Sequence, residues 1–246
     1  MKYLLCTALL FVFAPAYADD TTAKLEAAMQ SASRSAAHMQ RDANRKPRET
    51  LAFFGLRDDM RVLELFPGGG WYTTLLAPVL RDNGELIVAL NASSVRDGLL
   101  QQPGFDKVKV DSANPDMVDT GPLGASDVAA FEFDATDVDM VLTFRNMHNV
   151  SSQGRATINA AVFQSLRAGG LYGIIDHSRR HMEPITAETG RRADVVQIMK
   201  EVLAAGFEFV DYSDLHFRPD DELRYEVGRR SVTGNTDRFT LLFRKP

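Results

Sequence analysis

Three short stretches carry residues whose types and spacing could do chemistry. The first is Val62-Leu-Glu-Leu-Phe-Pro-Gly-Gly-Gly-Trp-Tyr-Thr73, an apolar run that ends in three glycines. Glycines let a backbone turn tightly and approach a ligand with no Cβ in the way. A helix starting after them offers free N–H groups, and Glu64 upstream suits a positive group. Neither phosphate pattern is complete. A dinucleotide fingerprint read from Gly68 and Gly70 meets Thr73 where its third glycine belongs, and no Gly-Lys-Ser/Thr follows.

The other two stretches follow apolar runs. Arg145, Asn146, His148 and Asn149 come directly after Val138–Phe144, and Asp176, His177, Ser178, Arg179, Arg180 and His181 after Leu171–Ile175. Histidine titrates near neutral pH, so His148 and His177 are the candidate bases. Asp176 can orient either one. Asn146 can hold a substrate by its amide, and Arg145, with Asn149 beside it, can anchor a carboxylate. A metal would draw on His148, Asp176, His177 and His181, but no short-range zinc-type spacing joins them, so no metal is expected.

The elements that must position these residues alternate. Residues 61–66, 85–90, 107–110, 138–144 and 171–176 read as strands, and 207–212 and 238–244 as two closing strands. Helices are expected over 71–80, 94–101, 155–167 and 186–205, and a longer one over 21–44. Residues 111–136 look irregular. Alternating strands and helices imply a parallel sheet covered on both faces. The expected fold is α/β: one doubly wound, mostly parallel, Rossmann-like sheet. The last strand is antiparallel, because residues 215–237 hold no good crossover helix. Residues 19–48 form an N-terminal helical extension and 49–246 the α/β domain. Arg191, Arg192, Asp194, Asp220, Asp221 and Arg238 are expected on solvated helix faces or in surface ion pairs.

Composition adds limits. The chain has 246 residues, 45% of them hydrophobic, with net charge −5. The acidic balance argues against nucleic acid as a partner. Met1-Lys2, an apolar run to Pro15 and Ala16-Tyr17-Ala18 follow the plan of a secretory signal peptide cleaved after Ala18. The apolar run falls short of the ~20 residues of a membrane span. Cleavage would take away Cys6, the only cysteine, leaving no disulfide or thiol chemistry, in an exported, periplasmic or secreted protein.

The glycine stretch resembles motif I of class I S-adenosylmethionine-dependent methyltransferases: an apolar strand, an acidic residue, then G-x-G-x-G. On that resemblance Glu64 meets the cofactor's amino group, and Gly68, Gly69, Gly70 and Thr73 line its site. Phe66 stands in place of the first motif glycine. Asn91 stands where such enzymes carry an acid for the ribose, and can offer a hydroxyl a hydrogen bond but no charge. Asp111 and Asp127 are the candidates for the adenine. More widely, Pro67–Thr73, Thr143–Asn149, Asp176-His177 and Thr236–Pro246 are similar to a family of exported bacterial predicted methyltransferases, over most of residues 50–246. The resemblance implies methyl transfer from S-adenosylmethionine to a small-molecule or envelope acceptor, which depends above all on alignment. His148, Asn146, Asp176 and His177 would then be catalytic, and Arg145 and Asn149 would bind the acceptor. It also gives Arg192, Asp194, Asp220 and Asp221 a structural role. Two other readings stand beside it. One is an exported binding protein that keeps the fold without turnover, favoured by Asn91 and by a compartment where this cofactor is not made. The other is a nicotinamide-dependent oxidoreductase, disfavoured by Thr73 and the missing acid.

Overall fold

The computed structural model describes residues 17–120 and 125–246. The expected leader, residues 1–18, lies outside them except for its last two residues. Helix α1 (Tyr17–Met29) is followed by short helices α2 (Ala36–Met39), α3 (Asp42–Arg45) and α4 (Pro47–Phe53). The alternation then starts with β1 (Arg61–Leu65), α5 (Thr73–Leu80), β2 (Glu85–Ala89), α6 (Ser93–Asp97) and β3 (Lys109–Val110). A hairpin of β4 (Met117–Asp119) and β5 (Ser126–Val128) interrupts it. It resumes with β6 (Val138–Phe144), α7 (Ser152–Ser165), β7 (Leu166–Arg179), β8 (Ala193–Asp194), α8 (Val195–Ala204), β9 (Glu208–Ser213) and β10 (Arg238–Arg244).

The main sheet has the order β3-β2-β1-β6-β7-β10-β9, with β8 beside β7. Strands β3, β2, β1, β6 and β7 are parallel, and β10 runs antiparallel between β7 and β9. The doubly wound sheet and the antiparallel last strand are therefore as the sequence implies. Successive strand side chains serve opposite faces. Val62 joins a core with Leu25, Leu51, Leu75 and Phe144, whereas Leu63 joins one with Ile158, Val162, Ile198 and Phe243. Helix α1 packs on α5, so the N-terminal arm is built into the first core.

Three expectations need correction. The helix expected over 21–44 stops at Met29. Arg34 turns back to donate to the Met29 carbonyl (2.9 Å) and forks onto Asp42, and Ser35 caps α2 by accepting from the His38 N–H. Serines compete for backbone hydrogen bonds in this way. The helix expected over 186–205 begins only at Val195, where Asp194 accepts from the Val196 and Gln197 N–H groups.

The third concerns the charged residues expected in solvent. Arg191 is exposed and pairs with Glu226, and Asp220 is exposed beside Asn235. Arg192, Asp194, Asp221 and Arg238 are buried. Arg192 Nη1 and Nη2 donate to Asp221 at 2.9 and 3.0 Å, and both side chains are inaccessible to solvent. Arg192 also donates to the Ser178 and Tyr225 carbonyls, and Asp221 accepts from the Leu223 and Asp237 N–H groups. Breaking such a pair strands a buried charge. Asp221→Ala is expected to cost ~3–5 kcal/mol, read as a fall in the urea midpoint at unchanged slope.

Candidate active site

In an open α/β sheet, ligands bind beyond the strands' carboxyl ends, where the strand order reverses. Here that point lies between β1 and β6. Three neighbouring strands turn there through left-handed backbone on residues other than glycine: Phe66 (φ 52°), Leu90 and Asn91 (φ 57° and 51°) and Arg145 (φ 62°). Such conformations persist when surroundings hold them, and they cluster at functional sites. Asn146 is part of the restraint. Its Nδ2 donates to the Phe66 and Phe144 carbonyls at 3.1 and 3.0 Å, tying the two strand ends together. Its amide protons are thus engaged by backbone rather than offered to a substrate.

Gly68 (φ 58°) and Gly69 are exposed, and a Cβ on either would meet open space. They line a cavity of about 170 Å³ with Glu64, Phe66, Arg145 and Asn146. Gly70 does not face it. A Cβ there would come within 2.6 Å of Leu99 and 2.7 Å of Val95, so this glycine lets α6 and the following turn pack closely. Thr73 is buried and donates to Glu64 Oε2 at 2.7 Å. Burial pushes the Glu64 carboxyl up to about 7 against the help of Thr73 and Arg45.

The nucleoside contacts expected from the sequence are not gathered here. Asn91 is exposed and lines neither this cavity nor the larger one beside it. Asp111 accepts from the Ala113, Asp134 and Ala135 N–H groups, and Asp127 from the Ser151 hydroxyl. Their carboxylates pin the hairpin region.

The larger cavity, about 580 Å³, is lined by Arg145, His148, Asn149 and His177. Asp176 is fully buried and accepts from His148 Nδ1 (2.6 Å), the His148 N–H (2.9 Å) and the His177 N–H (2.7 Å). A carboxylate on Nδ1–H fixes the tautomer and leaves Nε2 as a base. The His177 ring lies 5.8 Å from that of His148, and its Nδ1 is 2.9 Å from Thr236 Oγ1. Burial, then the charges around His148 and Arg145, hold His177 well below its ordinary value, so it is neutral. His181 stands apart with Asp194. Among the described residues no three His, Cys, Asp or Glu groups are arranged to hold a metal ion.

Sequence reasoning missed Arg41, Arg45 and Arg238. All three line the larger cavity, and Arg41, Arg45 and Arg145 line both. Arg45 lies over the Trp71 ring at 4.3 Å, and Tyr72 stacks on Phe144 at 3.5 Å between centroids. Arg41 and Arg45 are one helical turn apart in sequence, but nothing in the sequence joins them to the glycine turn, to Arg145 or to Arg238.

This sheet order, with its glycine turn at the switch point, defines the class I methyltransferase fold. No protein-family model matches the chain, and no curated protein matches it. Solved structures do. A SAM-dependent methyltransferase from Aquifex aeolicus is similar at TM-score 0.59 and 13% identity, over 92% of this chain and 98% of that one. The [4+2]-cyclase SpnF is similar at TM-score 0.57 and 16% identity, over 92% and 93%. The glycopeptide N-methyltransferase MtfA is similar at TM-score 0.51 and 17% identity, over 82% and 96%, and is also solved with S-adenosylmethionine. At these identities the likeness is one of fold, and a cyclase among the neighbours shows that the fold alone does not set the reaction.

Glu64 gives a test by pH. The unfolded carboxyl ionises near 4.5, the folded one near 7. Between these values the folded chain binds the extra proton, so this group lowers stability as pH rises, and above about 7 the loss is complete. Glu64→Gln removes the effect. The stability gained by that variant, from urea titrations, is expected to grow between these two pH values and then level off. A pH-independent difference would contradict the assignment.

Proposed function

We propose that the protein transfers a methyl group from S-adenosylmethionine to a small-molecule or envelope acceptor bound beside His148. One observation carries this reading. The glycine-turn cavity and the His148 cavity share a wall of Arg41, Arg45 and Arg145, so a donor in one adjoins an acceptor in the other. The residues fit the amino-acid half of the cofactor: Glu64 suits its ammonium, and bare backbone at Gly68 and Gly69 admits close approach. When bound, the cofactor supplies a methyl group on a sulfonium.

The chain's own residues supply alignment and a proton acceptor. Asp176 holds the His148 ring, and Nε2 takes the acceptor's proton. Neutral His177 adds a hydrogen-bonding edge without a competing charge. Asn146 and Asp176 thus act as positioning residues. Asn91 favours a second reading, an exported binding protein without turnover, since no acid stands ready for a ribose.

Calorimetry of the full chain with S-adenosylmethionine, its demethylated product and NAD separates these readings. The first two are expected to bind. Gly69→Arg is expected to abolish binding without unfolding, because its side chain starts in open space. Once an acceptor is found, His148→Ala should lower kcat by roughly two to four orders of magnitude with little change in cofactor affinity. Absence of heat with all three ligands would overturn the enzyme reading.

Export is part of the same proposal, supported by residues 1–18. Mass spectrometry of the protein from its native cell should find a chain starting at Asp19 in the envelope or medium. An intact Met1 in the cytoplasm would overturn it.

A further inference from the structure

The larger cavity has an unusual charge. The protein carries net charge −5, yet this cavity is lined by five arginines and two histidines, with no carboxylate on its wall among the described residues. Among the described residues only Arg191 of the five forms an ion pair, with Glu226; Asp176, Asp237 and Glu64 act on Arg145, Arg238 and Arg45 without pairing with them. Arg238 donates to the Asn44 and Thr236 carbonyls. Arg45 is only 3% exposed, and its Nη2 has no acceptor among the described residues. It rests on the Trp71 face instead.

The nearby acids are already engaged. Asp42 is forked by Arg34. Asp176 accepts three hydrogen bonds from His148 and His177. Asp237 takes the Arg218 N–H. Burial above all, then repulsion from Arg145 and Arg41 on Arg45 and from Arg41 on Arg145, pushes both below the ordinary guanidinium range. Holding cations this way works against folding, because a buried charge needs a partner. One cofactor carboxylate can answer one guanidinium, and the rest of the cluster stays bare.

We propose that the acceptor is a compact polyanion with at least two carboxylate or phosphoryl groups, held by Arg41, Arg45, Arg145 and Arg238. This rests on the methyl-transfer reading of the site. A volume of about 580 Å³ suits a small metabolite-sized molecule. Arginine forks recognise carboxylate and phosphoryl groups alike. Anchoring by two or more of them would fix the rest of the molecule against His148 Nε2.

Calorimetry of the full chain at low salt, with citrate and pyrophosphate as separate probes, tests this. One of them is expected to bind with 1:1 stoichiometry, and which one binds more tightly tells carboxylate from phosphoryl recognition. Arg45→Met and Arg145→Met should each weaken binding roughly tenfold or more. Arg96→Met, which removes the same charge from an exposed pair on α6, should leave it unchanged. Without probe, Arg45→Met should melt at or above the wild-type temperature, since it removes an unanswered buried charge. Binding that survives Arg145→Met, equal weakening by Arg96→Met, or no binding by either probe would overturn the proposal. The demethylated cofactor product is titrated alongside. If it binds and both probes fail, the polyanion falls and the methyl-transfer reading stands. If a probe binds through the arginines and the product does not, the polyanion site stands and methyl transfer falls.

Discussion

A single buried fork, Arg192 on Asp221, holds the last part of the chain where the site needs it. Both side chains are shut off from water, and the two carboxylate oxygens accept from two guanidinium nitrogens and from the Leu223 and Asp237 N–H groups. Through the Ser178 carbonyl the same arginine grips the end of β7. Residues 214–237 have no regular secondary structure among them, so side-chain contacts fix their path: this fork, buried His216 on Thr240 and the Arg45 carbonyl, and Thr236 on His177. They supply the far wall of the larger cavity, around Gly228 and Thr236. Ion pairs out of water are stabilising only when every lone pair is used, and here all are.

The sequence made the sheet legible because parallel strands buried on both faces read as continuous apolar runs. Val138–Phe144 and Arg238–Arg244 were legible to the residue. Helix starts were less so. Asp194 as a cap and Arg34 as a clasp decide where α8 begins and α1 ends, and both act through contacts that periodicity does not encode. In the site, the pairing of His148 with Asp176 follows from neighbouring strand ends and was within reach. Gly70 and Thr73 were in the right motif but serve packing and the Glu64 carboxyl. The arginine wall was out of reach, because Arg41 and Arg45 come from the N-terminal arm, Arg145 from the turn after β6 and Arg238 from the start of β10.

Two opposite electrical costs meet at this edge. Glu64 is held away from water as a carboxyl reluctant to ionise, and Arg45 and Arg145 beyond it are held without ion-pair partners among the described residues. Each alone opposes folding. Together they prepare a zwitterionic seat, acid on one side and base on the other, that an amino acid group or an anion can neutralise on arrival. Stability given up in building such a seat returns as ligand affinity.

The position of β10 carries a consequence for how the molecule comes into being. It is the last strand along the chain, yet it fills the gap between β7 and β9. Its first residue, Arg238, pairs across from His177. Until it is seated, β7 and β9 expose unsatisfied edges, which are sticky to other chains. Contacts so distant in sequence also slow folding. A chain lacking residues 238–244 loses Arg238 from the cavity wall and leaves β7 and β9 unjoined. Seating this strand thus joins two parts of the sheet and brings Arg238 to the cavity wall at once.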